Sequence, residues 1–259
     1  MTSSTMKSNT NLPYIKPLKS IFSIVVILSA WEILALVVDD SYFLPGLVET
    51  GRALVNIFTA GTFFKVVFTA FYRVFLGLIS GIFAGIVIAA LCHKSDLLNT
   101  VLSPVISIMK ATPVACIIVL LWIRLNYTEI AVFVVVLMVM PIVWQNVYEG
   151  LRSVDSNLSE VASVFELSAI ERLTVLTIPS VLSYLLPAIV TSVGLAWKAE
   201  VAAEIMTNSN MGRLIYDFKT VSYDTASIFA WTVVIVILSI VFENITKRVF
   251  GRFINDLKA

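Results

Sequence analysis

Apolar residues in this chain come in blocks long enough to cross a bilayer, and this constrains its fold more than any other feature. A helix needs about 20 residues to cross. Six blocks reach that length: residues 18–38, 66–91, 103–123, 130–148, 178–206 and 227–247. Each is too long and too continuously apolar for a half-exposed helix of a soluble domain. The composition agrees, with 59% hydrophobic and 14% charged residues. Soluble domains sit near 45–50% and about 25%. The sequence therefore predicts an all-α, polytopic membrane protein with six spans. The first block exceeds the roughly 7–15 residues of a signal-peptide core, and no small-x-small cleavage site follows it, so it reads as a retained anchor.

Basic residues orient the spans. With the N-terminus inside, the inner segments carry Lys7, Lys16, Lys19, Lys94, Arg152, Arg172, Lys247, Arg248, Arg252 and Lys258. The outer ones carry Arg52, Lys65, Arg73, Arg124, Arg213 and Lys219. Ten against six favours a multi-pass protein with both termini cytoplasmic. Residues 1–17 read as a flexible cytoplasmic tail, and residues 18–259 as one transmembrane domain. Outside, residues 39–65 hold the Pro45-Gly46 turn and a short interfacial helix, while 207–226 form a polar loop with turn signals.

Several chemistries lack their residues. The net charge of +1 offers nothing for nucleic acid. His93 is the one histidine and reads as a loop residue rather than a metal ligand. Cys92 and Cys116 read as buried thiols, not a disulfide. No phosphate-binding loop occurs. Gly77, Gly81 and Gly85 recur every four residues inside an apolar run, which suits close helix packing in lipid. So no cofactor or metal site is expected, and any energy source belongs to another subunit.

The polar island between the fourth and fifth spans, about 149–177, is the exception to this apolar pattern. Charge is costly inside lipid, so the island stands in water on the inner side. Asp155 and its serine neighbours can cap a helix starting near Asn157, and Ser168 can cap a second from Ala169 to about Thr177. Two short helices at an angle make a knob.

In this island the chain resembles the membrane subunits of bacterial ABC importers. Their signature is Glu-Ala-Ala, three residues, Gly, nine residues, Ile, one residue, Leu-Pro. Here Glu160, Val161 and Ala162 are followed by Glu166 in the Gly position, then Leu176 and Ile178-Pro179. Glu for Gly is the one non-conservative departure, because Gly supplies a positive φ. Phe71 to Gly77, Thr112-Pro113, Pro141, Gly150 to Asp155 and Gly194 to Trp197 with Ala203-Glu204 extend the resemblance, toward the branch that carries nitrate, taurine, alkanesulfonates and thiamine precursors. The resemblance implies a type I importer permease fold and a pair of permease copies, as a homodimer, around a central path. It also implies two cytoplasmic ATPase subunits holding ATP and magnesium, and an extracytoplasmic binding protein or lipoprotein. Glu160, Ala162, Glu166, Ser168 and Pro179 would form the ATPase-coupling loop.

Ionisable residues inside spans are functional candidates. Glu32, Lys110, Lys198, Glu200 and Glu204 qualify, with Trp197 as a neighbour on the path. At about 100° per residue Trp197, Glu200 and Glu204 share one helical stripe, and Lys198 points away from both carboxylates. The blander readings stand beside these. Glu204 would be a solvated residue at the outer surface. Lys110 would snorkel inward, and Glu32 would pair with a polar group on another helix. With Lys198 on one face and two carboxylates on another, the solute's charge stays open. A secondary transporter or channel without an ATPase is the alternative function, followed by a membrane enzyme and a non-transporting scaffold.

Overall fold

The computed structural model describes residues 15–256. Residues 1–14 of the expected tail lie outside the described residues. The first helix, α1 (Ile15–Val38), already includes the tail's last three positions. The other helices are α2 (Leu47–Thr59), α3 (Phe63–Lys94), α4 (Asp96–Ala111), α5 (Val114–Leu121), α6 (Tyr127–Arg152), α7 (Ser156–Val164), α8 (Ala169–Arg172), α9 (Ile178–Met206), α10 (Asn210–Asp217) and α11 (Thr225–Asp256). Single π-helical turns at Leu173–Thr177 and Phe218–Ser222 precede α9 and α11. Five helices are long and apolar enough to cross a membrane, or six if α4 and α5 count as one span.

α6 is the centre, with α3 along one side and α9 along the other. The α3–α6 seam rests on glycine. A Cβ at Gly77 would come within 2.5 Å of Val135, one at Gly81 within 2.9 Å of Val139, and one at Gly85 within 2.8 Å of Val143. Three missing side chains, one per turn, let the two backbones approach, as the spacing predicted. Both partners advance by four residues along this seam, so α3 and α6 run parallel. The chain between them must therefore return across the bundle.

It does so through a break, where the sequence predicted one span over 103–123. α4 and α5 meet at 97°. Thr112 and Pro113 are both extended, and Pro113 cannot donate the bond that would continue α4. The bend leaves Lys110 beside Gln145.

α1 stands largely apart from the bundle, with no residue of its span buried. It is held toward its C-terminal end. Trp31 Nε1 donates to Pro45 O at 3.1 Å, and Glu32 Oε2 accepts from Leu47 N at 2.7 Å. Glu32 thus supplies the anionic acceptor that the N-terminus of α2 wants, since Gly46 has no side chain to cap it. The interfacial helix expected after Pro45-Gly46 is α2, whereas the polar loop expected over 207–226 folds as α10 and a π turn. Cys92 is buried as read from the sequence, but Cys116 is exposed on α5.

Candidate functional site

Two opposite places in this fold gather polar groups: the knob between α6 and α9, and the C-terminal end of α9.

The knob begins at Asp155, whose side chain accepts from Asn157 N and caps α7. It ends α7 with a Schellman motif. Leu167 N donates to Ala162 O at 3.0 Å and Glu166 N to Ser163 O at 3.1 Å, with Glu166 left-handed at φ 52°. That conformation favours glycine at this position, which explains why a glutamate there is a real departure. Ala162 is 2% exposed, so the small residue of the signature is an internal packing position. Ser168 then opens α8 with a capping box: its hydroxyl accepts from Glu171 N while Glu171 accepts from Ser168 N at 2.7 Å. Arg172 Nη2 donates to Ser163 Oγ at 2.9 Å and ties α8 to α7.

The second knob helix is not the separate element expected from Ala169 to Thr177. α8, the π turn and α9 form one continuous path of 38 residues, Ala169–Met206. Pro179 sits at its join with the span. Glu160 is exposed, as are Val164, Phe165 and Ile170 at 80%, 73% and 74%. Leu158, Val161, Leu173 and Val175 are exposed as well, and a knob with so many bare large hydrophobics has the surface of an interface.

At the other end, Glu204 is fully buried, which corrects its reading as a solvated residue. Its Oε1 accepts from Arg73 Nη1 and Asn210 Nδ2, each at 2.7 Å, and its Oε2 accepts from Met211 N at 3.0 Å. Arg73 Nη2 donates to Thr128 Oγ1 at 3.1 Å, and its guanidinium lies 5.6 Å from the Tyr127 ring centroid. Arg73 is therefore no outer-loop cation. It is 3% exposed within α3; the Glu204 carboxylate joins α3, α9 and α10, and the Arg73 guanidinium adds the start of α6. Left-handed Asn208 and Asn210 turn the chain back over Glu204, and a Cβ on Gly212 would overlap the Glu204 carbonyl oxygen. Glu200, also fully buried, lies one turn inward with its Oε1 3.9 Å from Arg73 Nη1.

Of the sequence-predicted path residues, Trp197, Glu200 and Glu204 share one buried face. Trp197 Nε1 donates to Ile235 O at 3.2 Å, so this tryptophan packs α9 on α11. Lys198 is exposed on a different face, as the helical angle predicted. Lys110 Nζ donates to Gln145 Oε1 at 2.6 Å, and Gln145 Nε2 to Glu149 Oε1 at 3.1 Å, so Lys110 is held by α6. Glu32 caps α2 far from these groups. Sequence reasoning missed Arg73 as the partner of Glu204. Its signal was an arginine inside the apolar run from Phe71 to Gly77.

Residues 81–255 match the family model described as binding-protein-dependent transport system inner membrane component. The chain is similar to a putative aliphatic sulfonates transport permease protein of Bacillus subtilis, with 26% identity over 216 residues, covering 82% of this chain and 78% of that protein. It is 27% identical over 157 residues to a nitrate import permease protein of Synechococcus elongatus, covering 60% and 56%. Similarity to a bicarbonate transport system permease protein of the same organism is 26% over 149 residues, covering 56% and 54%. The chain thus spans about half the length of the latter two. A solved structure of an amino acid ABC transporter with histidines shares the fold, with TM-score 0.61 and 16% identity over 77% of this chain and 98% of that one.

Proposed function

The chain belongs to the family of binding-protein-dependent transport system inner membrane components, and from that premise we propose that it forms the translocation path of an ATP-driven importer. It works as a pair of copies in the bacterial inner membrane, with both termini cytoplasmic. An extracytoplasmic binding protein delivers a small polar solute. The solutes in its relatives' names are aliphatic sulfonates, nitrate and bicarbonate, all small and polar.

The observation that carries the coupling is the knob. Val164, Phe165 and Ile170 are bare on an element whose frame is fixed by two caps and the Arg172–Ser163 bond. We assign Glu160, Ala162, Glu166, Ser168 and Pro179 to this coupling loop, about 149–177 of the single domain 18–259. Two cytoplasmic ATPase subunits, which hold the ATP and magnesium, take the knobs of the two copies. The knob passes without a break into α9, so closure of the ATPase pair moves a membrane helix directly.

Purification of the tagged chain from its own membrane in mild detergent, with mass spectrometry of what accompanies it, tests this. Two ATPase subunits per two copies, with a binding protein, is the expected result. A chain that purifies alone, even after crosslinking at Ser163 or Ser168, would favour a transporter that needs no ATPase.

A further inference from the structure

The charges of α9 are sorted onto two faces. Glu200 and Glu204 turn inward with no exposure, against Arg73. Their charge is confined behind α3 and α10. The opposite face carries Tyr184, Pro187, Thr191, Leu195, Lys198 and Ile205, all exposed. Lys198 is its one charged residue. It stands eight residues before the end of a 29-residue helix, and among the described residues no carboxylate lies within 4 Å of it.

The flanking helices fix the sign of this stripe. On one side α5, Val-Ala-Cys-Ile-Ile-Val-Leu-Leu, carries no charge; its Ile118 packs with Ala199 and Ala203. On the other side α11 brings Glu243 and Lys247. Glu243 Oε1 accepts from Lys247, and its Oε2 lies 3.4 Å from where a Cβ on Gly194 would be, one turn inward of Lys198 and within its electrostatic reach. Two lysines face one carboxylate, and the carboxylate already has a partner in Lys247. A free ammonium on a membrane helix must meet water or a counter-charge, because exposure to lipid is costly.

We infer that Lys198 is a specificity residue of the path, and that the stripe it centres passes a small anionic solute such as an oxyanion. This rests on the permease reading above and adds a sign to it. The two carboxylates that left the solute's charge open in the sequence have no part in the stripe. Lys198 meets the anion in passing, and the neighbouring Glu243–Lys247 pair keeps the ammonium from holding it tightly.

Thiol accessibility tests the sign whatever the solute is. Thr191 lies seven residues inward of Lys198 on the same stripe, about 10 Å along the axis. Thr191→Cys, in a full-length chain with Cys92→Ala and Cys116→Ala, is assembled with its co-expressed partners in membrane vesicles. It is treated with two methanethiosulfonates, the anionic sulfonatoethyl and the cationic trimethylammonioethyl reagent. The anionic reagent is expected to react faster. Lys198→Gln should shift the rate ratio at least about fivefold toward the cation, as a full charge at this distance allows, whereas Lys198→Arg should leave it unchanged. Equal rates with Lys198 present, or a ratio indifferent to Lys198→Gln, would overturn the anion assignment and leave the permease reading standing. If neither reagent reaches the thiol of Thr191→Cys in any vesicle state, the stripe is not on an aqueous path, and both the assignment and its placement fail.

Discussion

Arg73 Nη1 lies 2.7 Å from Glu204 Oε1, and this buried pair joins residues 131 positions apart on two membrane helices. The carboxylate also accepts from Asn210 and Met211, so one side chain ties α3, α9 and α10 together. Removing one partner of such a pair leaves a charge buried without compensation, at a cost of about 3–5 kcal/mol. Arg73→Met should therefore lower the thermal midpoint of the chain in detergent steeply. Arg213→Met is the internal control: its partner Asp217 is 3.9 Å away and the two side chains are 74% and 48% exposed, so the loss should stay under about 1 kcal/mol. Equal shifts for the two variants would show that Arg73 is not bearing a buried pair.

The α3–α6 seam makes a second prediction. A Cβ at Gly81 would lie 2.9 Å from Val139 Cβ, with the Val136 Cα at 3.4 Å behind it. Gly81→Ala forces the parallel helices apart, and overpacking of this kind costs about 1–3 kcal/mol. Val139→Gly removes that Cβ together with its methyls, so the double variant should recover part of the loss. Melting curves of the four members of this cycle give the coupling. Strictly additive losses would place the Gly81 effect elsewhere.

Local rules were legible in the sequence where their partners are close by in the chain. The Gly77-Gly81-Gly85 rhythm, the Ser168 cap and the opposed faces of Lys198 and Glu200 each follow from helical spacing. Glu204 was misread because its solvation depends on Arg73, 131 residues away, and on a turn of left-handed asparagines that folds α10 over it. Arg73 was hidden for a related reason: counted with the outer loop, it lost its meaning as an arginine inside a span. Pro113 lacks the donor that would carry α4 onward, but the 97° angle goes with Ile118 packed onto α6 and α9 while α4 ends against Gln145. Periodicity carries no information about that.

Glu166 supplies a prediction of opposite sign. Its φ of 52° places a side chain where the Schellman motif favours glycine. Left-handed backbone costs a non-glycine residue about 1–2 kcal/mol. Glu166→Gly should relieve part of this, slow proteolysis between α7 and α8, and leave the ATPase complex intact. Glu166→Val, branched at Cβ, should speed the same cleavage. A Glu166→Gly chain that loses its ATPase would mean that the Glu166 carboxylate makes a specific contact with that subunit.

Glu160 tests the knob as an interface, independently of the fold. It is exposed on α7, beside the buried Ala162 that anchors the helix, so reversing its charge does not disturb the packing. In the coupling reading it lies at the rim of the bare surface made by Val164, Phe165 and Ile170, where a partner's cations would meet it. Glu160→Arg should then leave the melting temperature of the isolated chain within a degree or so, since surface changes stay near ±0.5 kcal/mol. The same change should cut recovery of the ATPase subunits about tenfold, equivalent to roughly 1.4 kcal/mol of binding. Full recovery would argue that the partner reads another face of the knob. Recovery lost together with thermal stability would mean that Glu160 supports α7 itself, and the interface would then have to be tested at Phe165.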